Sequence, residues 1–240
     1  MQLHSFIQIV KQRYIDLWNK PFGVTQLLGS IVFINAMGLW IPSFLNFIQN
    51  RKGFYIEDVV LNTIPAIDVS MPLFVSCYFV IVIAIFLMAT EPKIFTITLQ
   101  TYALLTLIRM LCIYLVPLEA PVAYVDLKDP FAELFVYAGK PINKDLFFSG
   151  HTSTMVLLVL GNPFKKLKPV FIFFAFVVAF LLLVQHAHYF IDVLVAPFAT
   201  IACFAFVKAL HHTKINRLTG EIKVYENKYK VGFLQKTIKN

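Results

Sequence analysis

Apolar residues fall in six long runs, separated by short polar stretches, and this alternation is the first thing the chain shows. A membrane-crossing helix needs about 20 mostly apolar residues. The runs predict helices over roughly residues 24–48, 71–90, 94–116, 147 or 149 to 161, 169–185 and 188–210. The third holds a charge, Arg109; Pro42 and Pro197 fall inside the first and the last, where each would kink its helix. The fourth is short, so its polar first turn must itself be embedded or nearly so. The expected fold is all-α: an integral membrane bundle of six transmembrane helices with both termini cytosolic. It divides into a cytosolic N-terminal segment (1–23), a six-helix membrane domain (24–210) and a basic cytosolic C-terminal tail (211–240).

Composition strengthens this picture. The 240 residues are 59% hydrophobic and 14% charged, with 25 Phe, against about 45–50% and about 25% for a soluble domain. The net charge of +8 raises the question of nucleic acid. The basic residues, however, collect between the apolar runs and in the tail, which is how membrane orientation is written. No nucleic-acid partner is expected. Cys77, Cys112 and Cys203 lie inside apolar runs without metal-ligand spacing, and read as small buried apolar residues. The first twenty residues carry charges and no cleavable apolar core, so no removable signal peptide is expected.

With an even number of crossings both ends share a side. That side carries fifteen lysines and arginines; the other carries five, Arg51, Lys52, Lys128, Lys140 and Lys144. Positive charge favours the cytosol, which places the termini there. The polar groups lodged in the oily runs then converge on the opposite face. Ser149, Gly150 and His151 start the fourth helix; His186, His188 and Asp192 sit at the fifth-to-sixth junction. Asp68 lies in an outer loop, and Arg109 is about 12 Å below the outer end of its helix at about 1.5 Å per residue.

His188 and Asp192 are four residues apart and share a helix face. The carboxylate can fix one ring nitrogen of His188 as N–H and leave the other lone pair free to attack. His151 arrives from another helix. One histidine to attack and one to move protons make a two-step phosphoryl transfer through a phosphohistidine. Gly150 lets a phosphate approach the amides that open the fourth helix, and Arg109 can bridge phosphate oxygens. Nothing in this set calls for a cofactor or a metal. Two rivals stay open: a metal site on His151, His186 and His188, and a proton relay in a transporter.

At these residues the sequence resembles the type-2 phosphatidic acid phosphatase superfamily, and more closely its sphingomyelin synthase-like branch. "FFSGHT" (147–152) is similar to that branch's third motif, with Asp145 where the family also has an aspartate. "HAHYFIDV" (186–193) resembles the fourth, "RMLCIYLVPLEAP" (109–121) the second, and "IPAIDVS" (64–70) the first. The phosphatase branch's lysine-arginine-proline motif is absent, as is its serine-arginine pair, where Leu181 and Leu182 stand. Ala187 and Phe190 replace more polar family residues, and Asn143-Lys144 replaces a cysteine-glycine pair.

The resemblance implies a metal-free lipid phosphotransferase facing the periplasm, lumen or cell exterior. His188 would be nucleophile, Asp192 its orienting partner and His151 the acid and base. Arg109, Ser149, Gly150, Asp145, Asp68, Tyr189 and His186 would bind substrate or phosphate. The partners would be the bilayer, a glycerophospholipid donor and a lipid alcohol such as ceramide; a homo-oligomer is compatible with the sequence. Two alternatives stand beside this: a lipid phosphatase or phospholipase C-like hydrolase with water as acceptor, and a non-catalytic membrane protein or transporter.

Overall fold

The computed structural model describes residues 2–129, 142–215 and 222–224. Among the described residues are seven α-helices: α1 (Gln2–Trp18), α2 (Gly23–Gln49), α3 (Ser70–Met88), α4 (Pro92–Leu115), α5 (Gly150–Gly161), α6 (Lys168–Val184) and α7 (Phe190–His212). Five are long and apolar enough to cross a membrane, namely α2, α3, α4, α6 and α7. The fourth expected crossing, α5, has 12 residues, about 18 Å of helix against a hydrocarbon core of about 30 Å. The bundle is all-helical. Beyond it the backbone of Thr213–Ile215 pairs antiparallel with Ile222–Val224. Lys140 and most of the expected basic tail lie outside the described residues.

Punctuation sets the helix limits. Pro92 opens α4 and Pro169 the first turn of α6, where a missing N–H costs nothing. The Ser149 side chain caps α5 by accepting from the Thr152 amide. Pro42 and Pro197 do lie within α2 and α7.

The short helix α5 is the hub. It packs on α3, α4, α6 and α7, while α2 leans on α4 at the edge. The largest core cluster joins α3, α5 and α6 through Leu73, Phe74, Val80, Met155, Val178 and Leu182. Many large apolar side chains, among them Leu39, Phe86 and Phe176, point outward from the spanning helices. In water that surface would be a liability; in lipid it is the solvent-facing side.

The end holding residues 50–69, 116–129, 142–149 and 185–189 is knitted by backbone hydrogen bonds across long sequence separations. Phe54 pairs with Pro117 and Glu119, Ile67 N–H donates to the Val184 carbonyl, and Val125 N–H to that of Gln185. The buried Gln185 gathers this end: its Nε2 donates to Ser70 Oγ (2.9 Å) and the Asp126 carbonyl (3.0 Å), and its Oε1 accepts from the Val69 amide (2.6 Å).

At the other end of α5, Gly161 lies against α3 and α4. A Cβ there would sit 2.4 Å from Thr98 Oγ1 and 3.0 Å from Met88 Sδ. Gly161→Val should therefore cost about 1–3 kcal/mol, the range for overpacking, and lower the thermal midpoint in detergent. Gly29 has open space around it, so Gly29→Ala should be neutral or stabilising in the same assay.

Candidate functional site

The two polar motifs meet through their backbones. The Ser149 N–H, just ahead of α5, donates to the Asp192 carbonyl in the first turn of α7 at 3.0 Å. This bond fixes the His151 turn relative to the His188 turn. Within the second motif, His188 Nδ1 lies 3.3 Å from Asp192 Oδ2, which also accepts from the Tyr189 amide at 3.2 Å. A carboxylate only accepts, so Nδ1 carries the proton and the Nε2 lone pair is left available. The contact is long, as such pairs often are before the reacting groups are seated. Both residues are buried, and His188 Nε2 has no hydrogen-bond partner among the described residues. The second Asp192 oxygen, Oδ1, is buried without a partner as well.

In the first motif, the Ser149 hydroxyl takes the Thr152 amide. The Gly150 and His151 amides, with no carbonyl one turn earlier to bond, are left over at the positive end of α5. The imidazole of His151 meets Phe74 edge-on, ring centroids 5.7 Å apart. Its nitrogens have no hydrogen-bond partner among the described residues.

Arg109 holds this motif from below. Its Nε donates to the Phe148 carbonyl (2.7 Å), and one terminal nitrogen reaches both the Asp145 carbonyl (3.1 Å) and its carboxylate (2.8 Å). The guanidinium lies under Gly150, where a Cβ would come within 3.1 Å of Cζ. Close approach by arginine is thus one reason for glycine here. Burial works against ionisation of Asp145, but the adjacent guanidinium more than offsets it and holds the carboxyl below its ordinary range.

A cavity of about 320 Å³ opens on this arrangement. Arg109, Asp145, Gly150 and His151 line its polar part, with Tyr78 and Asp129, whose side chains share a 2.5 Å hydrogen bond. Ile41 and Leu45 of α2, Cys77 and Ile81 of α3, and Leu105 of α4 line the rest. The cavity therefore runs from the motif end into the cleft between α2 and α3. His188 does not line it, but is close enough to act electrostatically on both His151 and Asp145.

Other candidates stand elsewhere. His186 turns away, its Nε2 donating to the Ile64 carbonyl at 2.9 Å from a left-handed backbone (φ 52°). It is thereby withdrawn from a shared ligand set with His151 and His188. Tyr189 is buried among Leu61, Leu118, Leu146 and Leu183, and its hydroxyl donates to the Glu119 carbonyl. Asp68 accepts from the Ser70 amide at the start of α3 and pairs with Lys128 (3.1 Å). These three brace the loops around the site. Sequence reasoning passed over Asp129, Tyr78 and Gln185. A glutamine ending an oily helix beside a histidine was a usable signal for Gln185. Asp129, one of several charges in its loop, offered none.

Residues 144–210 match the family described as PAP2 superfamily C-terminal. The matched segment contains both motifs, and it supports the type-2 phosphatidic acid phosphatase superfamily. Its members are phosphatases or phosphotransferases acting on phosphate esters, which supports an enzyme in the membrane. No curated protein matches the chain.

The depressed Asp145 pKa has a pH consequence. Its ion pair contributes fully above the unfolded value of about 3.9 and is lost as pH falls through the lower folded value. Asp145→Asn should therefore be less stable than wild type near neutrality. The gap should close in acid, as read by thermal unfolding in detergent across pH.

Proposed function

We propose that this protein is a membrane lipid phosphotransferase. In this reading it moves a phosphoalcohol head group from a glycerophospholipid to ceramide or a similar lipid hydroxyl through a phosphohistidine. The observation that carries it is the cavity: Arg109, Gly150 and His151 line its polar part together with Asp145, Asp129 and Tyr78, and its remainder is an apolar cleft between helices. Such a shape suits a lipid whose head sits at the motif end and whose chains stay among α2 and α3. The largely apolar lining favours a lipid alcohol over water as acceptor.

The proposed chemistry follows from the tautomer. His188 Nε2 attacks phosphorus as the bond to the diacylglycerol oxygen breaks, and His151 gives that oxygen its proton. Asp192 stabilises the charge that develops on the His188 ring. The incoming hydroxyl then loses its proton to His151 and attacks phosphorus, and the N–P bond breaks. The Gly150 and His151 amides stabilise the phosphoryl oxygens, and Arg109 keeps those amides in place. Because His188 does not line the cavity, binding must widen this end so that the phosphoryl group seats between His151 and His188. In the proposed topology six passes put both termini in the cytosol and the site on the opposite face.

Purified protein supplied with a head-group-labelled phospholipid tests this reading. Transfer of label to ceramide is expected, together with diacylglycerol release. Ceramide-independent release of phosphorylated head group or phosphate would establish the hydrolase instead. His188→Ala should abolish turnover and His151→Ala should reduce it about 10²–10⁴-fold, the usual worth of a general acid–base. His186→Ala, with its ring on a backbone carbonyl, should lower stability more than turnover of the folded fraction. Turnover by a folded His188→Ala variant would remove His188 as nucleophile.

A further inference from the structure

Helix α1 has a face that nothing among the described residues covers. It is too charged to cross a membrane, with Lys11, Arg13 and Asp16 in 17 residues. Yet Ile7, Tyr14 and Trp18, on one side of it, are exposed, Trp18 to 75%. The helical period puts these three together with Val10 and Leu17, which are partly buried. The apolar stripe is therefore only half used by the protein. The opposite side carries Gln8, Gln12 and Asp16, with exposed Ile9 and Ile15 beside them, and Gln12 donates to Asp16 at 2.9 Å; Lys11 flanks the stripe next to Ile7 and Trp18.

The helix is also held at a defined level. Arg13 pairs with Glu91 (2.8 Å) and donates to the Thr90 carbonyl (3.0 Å), and the Tyr14 hydroxyl donates to that of Ala89 (2.8 Å). These residues form the α3–α4 turn, at the end of the bundle opposite the His151 motif. The chain then turns through Phe22 (φ 65°) into α2. So α1 sits where spanning helices end and head groups begin. Near it stand three exposed lysines, Lys20, Lys93 and Lys208, the first and last close enough to act on Lys93.

We infer that α1 lies in the head-group layer of the leaflet opposite the reaction site, apolar stripe toward the acyl chains, with anionic phospholipids gathered by the neighbouring lysines. An apolar stripe laid into that layer binds through buried area and is helped by basic charge beside it, and an exposed tryptophan at this level suits it. Burial of the outer half of the stripe in lipid satisfies a face that would otherwise meet water.

The chain has two tryptophans, Trp18 and Trp40, so full-length Trp40→Phe protein leaves Trp18 as the only indole. It is placed in nanodiscs of phosphatidylcholine, with or without phosphatidylglycerol, containing lipids brominated near the carbonyl end or near the middle of the acyl chain. Trp18 emission should be blue-shifted and protected from iodide. It should be quenched about twofold or more better by the shallow bromines than by the deep ones, and more strongly when phosphatidylglycerol is present. Red emission open to iodide and indifferent to bromine would overturn the proposal. Shielding from both quenchers would do the same, by showing a second copy of the chain on this face. Equal shallow quenching with and without phosphatidylglycerol would remove the anionic lipids from it.

Discussion

The hydrogen bond from the Ser149 amide to the Asp192 carbonyl is the constraint on which the site depends. It joins the residue that caps α5 to the residue that orients His188. Two helices could pack at many offsets along their axes; a backbone bond between their first turns selects one. His151 is then one residue past Gly150 on one side of that bond, and His188 four residues before Asp192 on the other. Arg109 adds a second brace by gripping the Asp145 and Phe148 carbonyls. The short segment that would otherwise wander above α5 is thus held from below by α4 and from the side by α7.

The membrane makes these ties necessary. A buried ionisable group in a lipid-facing bundle is costly unless partnered, and the charged groups here are arranged accordingly. Arg109 meets Asp145, Asp192 meets His188, and Lys144 meets Glu119 at 2.8 Å. Against that background the Nε2 of His188 and the ring of His151 stand out as polar atoms left for something else. In the proposed reading a phosphoryl group, tetrahedral and anionic, comes to seat between them. The apolar cleft beside them belongs to the same design, since a lipid brings its own hydrocarbon.

Much of this was legible in the chain. Helices α2 to α7 fall within a few residues of the six apolar runs, whereas α1, amphipathic and charged, corresponds to none of them. The pairing of His188 with Asp192 was expected from helical spacing, yet His188 lies just ahead of α7 and reaches Asp192 from the turn that leads into it. Of the two starts expected for α5, Ser149 stands at its cap, while Phe147 and Phe148 lie ahead of the helix, where Arg109 takes the Phe148 carbonyl. The role of His186 was hidden because it depends on a left-handed backbone and a carbonyl 122 residues away at Ile64. Tyr189 and Asp68 were hidden likewise, since each is occupied by a loop partner distant in sequence. Local pattern reports which face a residue shares, not which loop will come to meet it.

The central claim is that His188, and not His151, carries the transferred group. Rapid quenching of wild-type protein during turnover of a head-group-labelled phospholipid, followed by peptide mass analysis under alkaline conditions, measures this directly. The account predicts a phosphoalcohol adduct on the peptide bearing His188, formed and lost at the rate of turnover. An adduct on the peptide bearing His151, or transfer of label with no protein adduct at any time point, would contradict it.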